Sequence, residues 1–272
     1  MPRENGEGVM EGDYPALRVR VLGSGTSMGV PVLGCRCAVC TSSDPRNKRL
    51  RSSILIEAAG RHVLVDCSID FRQQMLAWPA PRIDAVLLTH THSDHVNGID
   101  DLRAYNYLQG GPIPIYSAQP FLDDLTHRFA YCFDPMQKGG GVPQLDLRRV
   151  EPGVAFEAAG LRVVPIPIMH GLLPIIGFRL GRFAYLTDCS AIPAASEPLL
   201  QGLEALIVSA LRRRPHATHF NLEQAVEVSR RLAARRAFFT HMADEMDHET
   251  TNRELPAWAK LLFDGQVIEV PG

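Results

Sequence analysis

A chain of 272 residues, 46% hydrophobic and 21% charged, has ordinary globular composition and length for one large domain or two small ones. Its formal net charge of -2 gives no overall pull towards nucleic acid or membrane. No stretch approaches the ~18 consecutive apolar residues of a membrane span.

Met1 to Asp13 lacks the apolar core of a signal peptide. Residues 1–13 are therefore expected to be a flexible tail, ahead of a single domain over 14–272 in a cytoplasmic chain. Leu17 to Leu22 alternates as a strand and breaks at Gly23-Ser24-Gly25-Thr26. No helix pattern follows these glycines, so they read as a backbone loop near the site, not a dinucleotide cradle. A long loop with Cys35, Cys37 and Cys40 runs to Arg51. Ser53 to Glu57 and His62 to Val65 form a hairpin pattern around Ala59-Gly60, closed by Asp66. Phe71 to Trp78 reads as a helix. The apolar run Ala85 to Leu88 reads as a buried strand, followed by a helix pattern to about Leu108 with Ser93 as its N-cap. Ile113 to Tyr116 is a short strand and Phe121 to Ala130 a helix. Tyr131 to Pro143, with three consecutive glycines, reads as a mobile connection, either a lid or an ordinary surface loop.

Val154 to Phe156, Leu161 to Pro167, Gly177 to Leu180, Phe183 to Leu186 and Glu204 to Val208 read as strands. Asn221 to Ala234 is an amphipathic helix, Ala237 to Thr240 a strand, and Gln266 to Val270 the last strand. Strands come in runs, and Leu88-Thr89-His90 finds an echo in Phe239-Thr240-His241. The expected class is α+β, with two sheets face to face, helices outside, and a site in the cleft between two similar halves.

The densest chemistry lies in His90-Thr91-His92-Ser93-Asp94-His95. Three imidazoles and a carboxylate suit zinc, manganese or iron. On extended chain His90 and His92 point to one side, and Asp94 and His95 sit where the chain turns. His170, Asp188 and His241 each follow an apolar run, which makes them candidates for the missing ligands. Three thiols within six residues can take three corners of a tetrahedral zinc. Cys67, Cys132 and Cys189 are expected to be small buried apolar residues.

This set resembles the metallo-β-lactamase superfamily across about Leu17 to Val270. The resemblance implies a four-layer αβ/βα sandwich with two divalent ions, zinc or manganese with iron as a third option. His90, His92 and His170 would hold one ion, Asp94, His95 and His241 the other, and Asp188 would bridge. Asp66 would be the structural carboxylate beneath. Gly23 to Pro31 followed by the cysteines is similar to the PhnP-like phosphodiesterase branch. That branch carries a His at the position of His219 and places a His where this chain has Asp244. Asp244, or else His248, would complete a structural zinc site with Cys35, Cys37 and Cys40; the other reading leaves reduced, metal-free thiols.

The resemblance implies hydrolysis of small, including cyclic, phosphodiesters. Two ions can hold the phosphoryl group and generate hydroxide at neutral pH. His219, or else His216, would protonate the leaving group, and Asp94 would orient the water. Arg212, just before them, could grip a substrate phosphate, or be part of a solvated turn. Arg230, Arg231, Arg235 and Arg236 read as a solvated helix face. Neither membrane nor nucleic acid is the expected partner, and the sequence is compatible with a homodimer. Two further readings stay open: an RNA-processing nuclease of the same superfamily, and a non-hydrolytic metal-binding accessory protein resembling the one in coenzyme PQQ synthesis.

Overall fold

The structure, a computed structural model, describes residues 14–134 and 141–272. The expected tail over 1–13 lies outside the described residues, as does the centre of the glycine-rich connection. Among the described residues no helix is long and apolar enough to cross a membrane.

Two seven-stranded sheets carry the molecule. The first is built from β1 (Leu17–Gly23), β2 (Ser53–Ala58), β3 (Arg61–Val65), β4 (Ala85–Leu87), β5 (Ile113–Ser117) and β6 (Leu145–Arg149). The second is built from β7 (Phe156–Ala158), β8 (Leu161–His170), β9 (Leu173–Leu180), β10 (Phe183–Leu186), β11 (Ala205–Ser209), β12 (Arg236–Thr240) and β13 (Ala259–Leu261). The last strand, β14 (Val267–Val270), returns to the first sheet and pairs antiparallel with β1. In each sheet the strands before the site are parallel neighbours: β3, β4 and β5 in one, β10, β11 and β12 in the other.

The inner faces meet in one core. Val19, Ile54, Ile56, Val63 and Leu87 from the first sheet pack with Val163, Ile166, Phe178, Tyr185, Ile207 and Phe239 from the second. A second core lies on the outer face of the first sheet. There Leu55, Leu64, Val86 and Ile115 meet Phe71 and Met75 of α1 (Phe71–Ala77) and Leu125 of α4 (Gln119–Arg128). Between those helices come α2 (Ser93–Val96), α3 (Arg103–Gln109) and, after α4, α5 (Ala130–Phe133). On the far side α6 (Leu222–Arg231) buries Leu222, Ala225 and Val228 against the second sheet. Asn221 caps α6 with a reciprocal capping box to Gln224, which satisfies two amides that would otherwise lack partners. The order helix, sheet, sheet, helix is the expected four-layer sandwich.

Several expectations need correction. The helix after the His-rich motif does not run unbroken. It is α2, a 3-10 turn over Ile99–Leu102, and then α3. Ser93 is the first helical residue, not the cap. His92 occupies the cap position on extended backbone with no side-chain cap bond, because its ring belongs to the site. The strand expected at Val154 begins at Phe156. Strands β6 and β13 and helix α7 (His248–Glu254) carry too few apolar residues to stand out by pattern. Cys67 and Cys189 are buried as expected, whereas Cys132 is only half-buried. Of the four helix-face arginines, Arg235 and Arg236 lie beyond α6 and pair with Glu204.

The turn that carries the site is laced tightly to the chain below it. The Cys67 amide donates to the His95 carbonyl (2.8 Å) and the Gly98 amide to the Cys67 carbonyl (3.0 Å). A Cβ at Gly98 would lie 2.0 Å from the Ser68 carbonyl oxygen. Gly98→Ala should therefore destabilise the fold by about 1–3 kcal/mol, seen as a lower urea midpoint.

Candidate metal centre

All the ligand-type residues predicted from the sequence arrive at one edge of the sandwich. β3 delivers Asp66, β4 the His90 to His95 loop, β8 His170, β10 Asp188 and β12 His241. Asp66, Asp188 and His241 all have left-handed backbone, with φ of 60°, 56° and 59°. Non-glycine residues adopt that region at a cost of roughly 1–3 kcal/mol each. Here it turns each side chain sharply off its strand into the cleft, and the packed sheets hold it there.

Two donor groups result. His90, His92, His170 and Asp188 form one, and Asp94, His95, Asp188 and His241 the other, with the donor atoms of each within 4.8 Å of one another. Asp188 stands in both. Its Oδ2 lies 3.9 Å from His90 Nε2, while its Oδ1 lies 3.2 Å from His95 Nε2 and 3.3 Å from His241 Nε2. Asp94 Oδ2 closes the second group at 3.3 Å from His95 Nε2 and 3.4 Å from His241 Nε2. His92 alone among these is exposed, so the cleft opens on its side.

Three of the imidazoles, those of His90, His95 and His170, are held by the ring nitrogen that faces away from the cleft, whereas His241 Nδ1 is buried without a partner. His95 Nδ1 bonds Asp66 Oδ2 at 2.8 Å. The Thr89 hydroxyl donates to Asp66 and lies 3.0 Å from His90 Nδ1. Its single hydrogen is thus committed, and His90 Nδ1–H is the donor between them. His170 Nδ1–H donates to the Thr218 carbonyl at 2.7 Å. In each of these three rings Nδ1 is fixed and Nε2 turns inward. His90 Nε2 and His95 Nε2 are buried with no hydrogen-bond partner. Buried nitrogens left unpaired beside carboxylates are what a divalent ion would satisfy, so these residues fit a pair of ions.

The electrostatics agree. Burial holds His90 well below the ordinary histidine range, so its imidazole is neutral. For His95 burial works the same way, but Asp188, Asp94 and Asp66 outweigh it and hold the imidazolium well above that range. Burial opposes the charge of Asp188, yet His241 and His95 keep it well below the carboxylate range.

Cys35, Cys37 and Cys40 gather around Asp244. Their sulfurs lie 3.2, 3.5 and 3.6 Å from Asp244 Oδ2, close to the about 3.5 Å edge of a tetrahedron drawn with ordinary zinc bond lengths. Backbone amides of Cys37, Cys40 and Val32 donate to the three sulfurs. His248 is outside this group: its ring packs edge-on against Phe263, and burial pushes it down to about 4. Sequence reasoning missed Arg49. It is almost fully buried and donates to the carbonyls of Met246 and Ala243, pinning the Asp244 loop to the cysteine loop.

His219 stands beside both groups, its ring 4.6 Å from His170 of the first and 4.8 Å from His241 of the second. His216 is one ring further out, 5.3 Å from His219. Arg212 lies in the same loop.

A family model described as a beta-lactamase superfamily domain matches residues 61–242. A crystal structure of a diphosphatase from the PhnP family is similar, with a TM-score of 0.89 and 41% identity, covering 95% of this chain and 98% of that one. The octanoyltransferase of Porphyromonas gingivalis is 40% identical over 254 residues, 92% of this chain but 51% of that one. The chain thus spans about half the length of that curated relative. Coenzyme PQQ synthesis protein B of Methylobacterium radiotolerans is 31% identical over 228 residues, 70% of this chain and 72% of that one.

Three outcomes follow for metal binding. The raised His95 must lose its proton before Nε2 can bind an ion, so loading the ion-free protein at pH 7 should release a proton. Calorimetry in two buffers of different ionisation enthalpy measures this, and affinity should rise with pH up to the His95 pKa. Asp66→Asn should weaken metal affinity at the histidine cluster ~10–100-fold, read by chelator competition. Asp244→Ala should remove one zinc per chain by elemental analysis while leaving the ions of the histidine cluster in place.

Proposed function

Starting from the fact that this chain belongs to the β-lactamase superfamily, and to the PhnP family within it, as a metal-dependent hydrolase, we propose that it hydrolyses small phosphoric diesters at the histidine and aspartate cluster. The observation that carries this reading is Asp188, with one carboxylate oxygen turned to each ligand group. That arrangement suits two ions side by side, as in-line phosphoryl displacement uses them. The relative named a diphosphatase favours phosphoryl chemistry over lactam hydrolysis.

His90, His92 and His170 would hold one ion, Asp94, His95 and His241 the other, with Asp188 between them. The ions would supply Lewis acidity for the phosphoryl oxygens and a lowered pKa for the attacking water. Asp94 would orient that water. Burial raises its pKa, but His95 and His241 more than offset this and keep it an ionised acceptor. The Asp66–Thr89–His90 and Asp66–His95 bonds fix two imidazoles before substrate arrives, so no reorganisation is needed at the moment of reaction. His219 would serve the leaving group. Burial pushes it down to about 3, so it is neutral in the free site, and acting as the acid would require the bound phosphoryl anion to raise it. Cys35, Cys37, Cys40 and Asp244 would hold a structural zinc that braces the cleft without entering the chemistry.

The test is turnover of bis(p-nitrophenyl) phosphate by protein loaded with zinc or manganese. Turnover is expected, and its absence with every divalent ion would overturn the reading. His219→Ala should slow alkyl diesters, whose leaving groups are poor, by ~10²–10⁴ and p-nitrophenyl diesters much less. Equal losses would remove His219 from the leaving-group side.

A further inference from the structure

His241 is held differently from its neighbours in the cluster. His90, His95 and His170 each have a bond at Nδ1, whereas His241 Nδ1 is buried with no hydrogen-bond partner. Its ring is stacked on those of His95 and His219, at 5.7 and 4.8 Å between centroids. Stacking does not fix the direction of Nε2 within the plane of a ring. That direction depends on where the backbone holds residue 241.

The residue after it supplies the hold. The Met242 amide donates to the Ser24 carbonyl at 3.0 Å, and the Thr26 amide to the Met242 carbonyl at 3.1 Å. Gly25 bridges to Met242, just past β12, and to Arg51, just ahead of β2. Residues 24–26 are thus a rung that joins the two sheets at the ligand edge. Asp264 anchors this rung. Its Oδ1 accepts from the Ser24 amide at 2.9 Å and the Ser24 hydroxyl at 2.7 Å, and its Oδ2 from the Leu50 amide at 2.7 Å. Asp264 sits on the turn between β13 and β14, where the chain crosses from the second sheet back to the first. That turn is tied to both sheets. The Leu262 amide donates to the carbonyl of Phe239, two residues before His241, at 2.9 Å, and the Gly265 amide to the Val21 carbonyl at 2.8 Å.

We propose that Asp264 is the positioning residue for His241. Through Ser24 and Met242 it does for this side chain what a bond at Nδ1 does for the other three, and it sets the metal affinity of the second donor group selectively. The proposal rests on the two-ion part of the reading above and not on the substrate. A carboxylate that accepts three donors is a strong tether. Without it the rung is loosened and His241 loses its anchor, while His90 and His170 keep their Nδ1 bonds. Burial pushes Asp264 up to about 7, against the pull of its Leu50 and Ser24 donors and of the Arg49 charge. A protonated carboxyl turns one acceptor oxygen into a donor that faces an N–H, so the tether is strongest above pH 7 and weakens as pH falls.

The experiment is stepwise loading of the ion-free protein with zinc against competing chelators. Asp244→Ala marks the step that belongs to the cysteines, and His241→Ala the step that belongs to the second donor group. At pH 8, Asp264→Asn should weaken the second-group step ~10–100-fold and leave the other steps within about twofold. From pH 8 to pH 6 the wild-type step should fall more steeply than that of the variant, because the carboxamide already places a donor against an N–H. Ser24→Ala, which removes one donor and keeps the carboxylate, should give a smaller loss at the same step. In ion-free protein the Met242 amide should exchange its hydrogen faster in Asp264→Asn than in wild type. Equal losses at every step, no loss at the second-group step, or parallel pH profiles would overturn the assignment. If wild type takes a single ion at the histidine and aspartate cluster, the two-ion reading fails. Asp264 then stands as the anchor if Asp264→Asn both weakens that ion and speeds Met242 exchange, and falls if it does not do both.

Discussion

The Asp66 carboxylate, fully buried at the end of β3, holds the centre together. Burial raises its pKa, opposed by His95, with which it forms an ion pair out of water. A lone charge there would cost several kcal/mol. It is offset because both oxygens are engaged by the His95 ring, the Thr89 amide and the Thr89 hydroxyl. One carboxylate therefore orients a ligand of the second group directly and His90, a ligand of the first, through Thr89. Removing it would free two imidazoles to rotate and leave a buried imidazolium without its nearest counter-charge.

Around that point the architecture solves one geometric problem: bringing donors from distant parts of the chain to one edge. Strands of both sheets end there, and left-handed residues at Asp66, Asp188 and His241 turn the side chains inward within a single residue. The strain is local and is held by the packing of the two sheets. The loop over 24–52 braces the same edge from the first sheet. The Thr26 amide donates to the Met242 carbonyl and the Met242 amide to the Ser24 carbonyl, so the residue after His241 is clamped by the glycine-rich turn. The cysteine group with Asp244 lies three residues beyond His241, and Arg49 secures the same segment. Metal at the cysteines would thus stiffen the segment that carries His241 of the histidine cluster.

Asp244 also sets this chain apart from the pattern it resembles, where a histidine is expected. A three-sulfur, one-oxygen set keeps a charge of −4 when all four groups are ionised. Without an ion the thiols keep their protons and donate to the Asp244 carboxylate, so metal binding at such a site would release protons.

Much of the centre was legible in the sequence. His90, His92, Asp94 and His95 crowd within six residues, a density that has no packing rationale, and His170, Asp188 and His241 each close an apolar run, a pattern that survives folding because strand ends reach the sheet edge. Periodicity also gave most strands and α6, whose buried faces repeat at fixed spacing. It did not give β6, β13 or α7, where few residues face a core, nor the break after α2, which the close approach of Gly98 to Ser68 imposes. Which nitrogen of His95 and His170 faces inward, the division of the Asp188 oxygens between two groups and the exclusion of His248 depend on contacts between residues tens to hundreds of positions apart. Donor type is a local property of residue and strand end, so the chain spells it out; donor orientation and charge pairing are properties of neighbours in space, and only the packed sheets decide them.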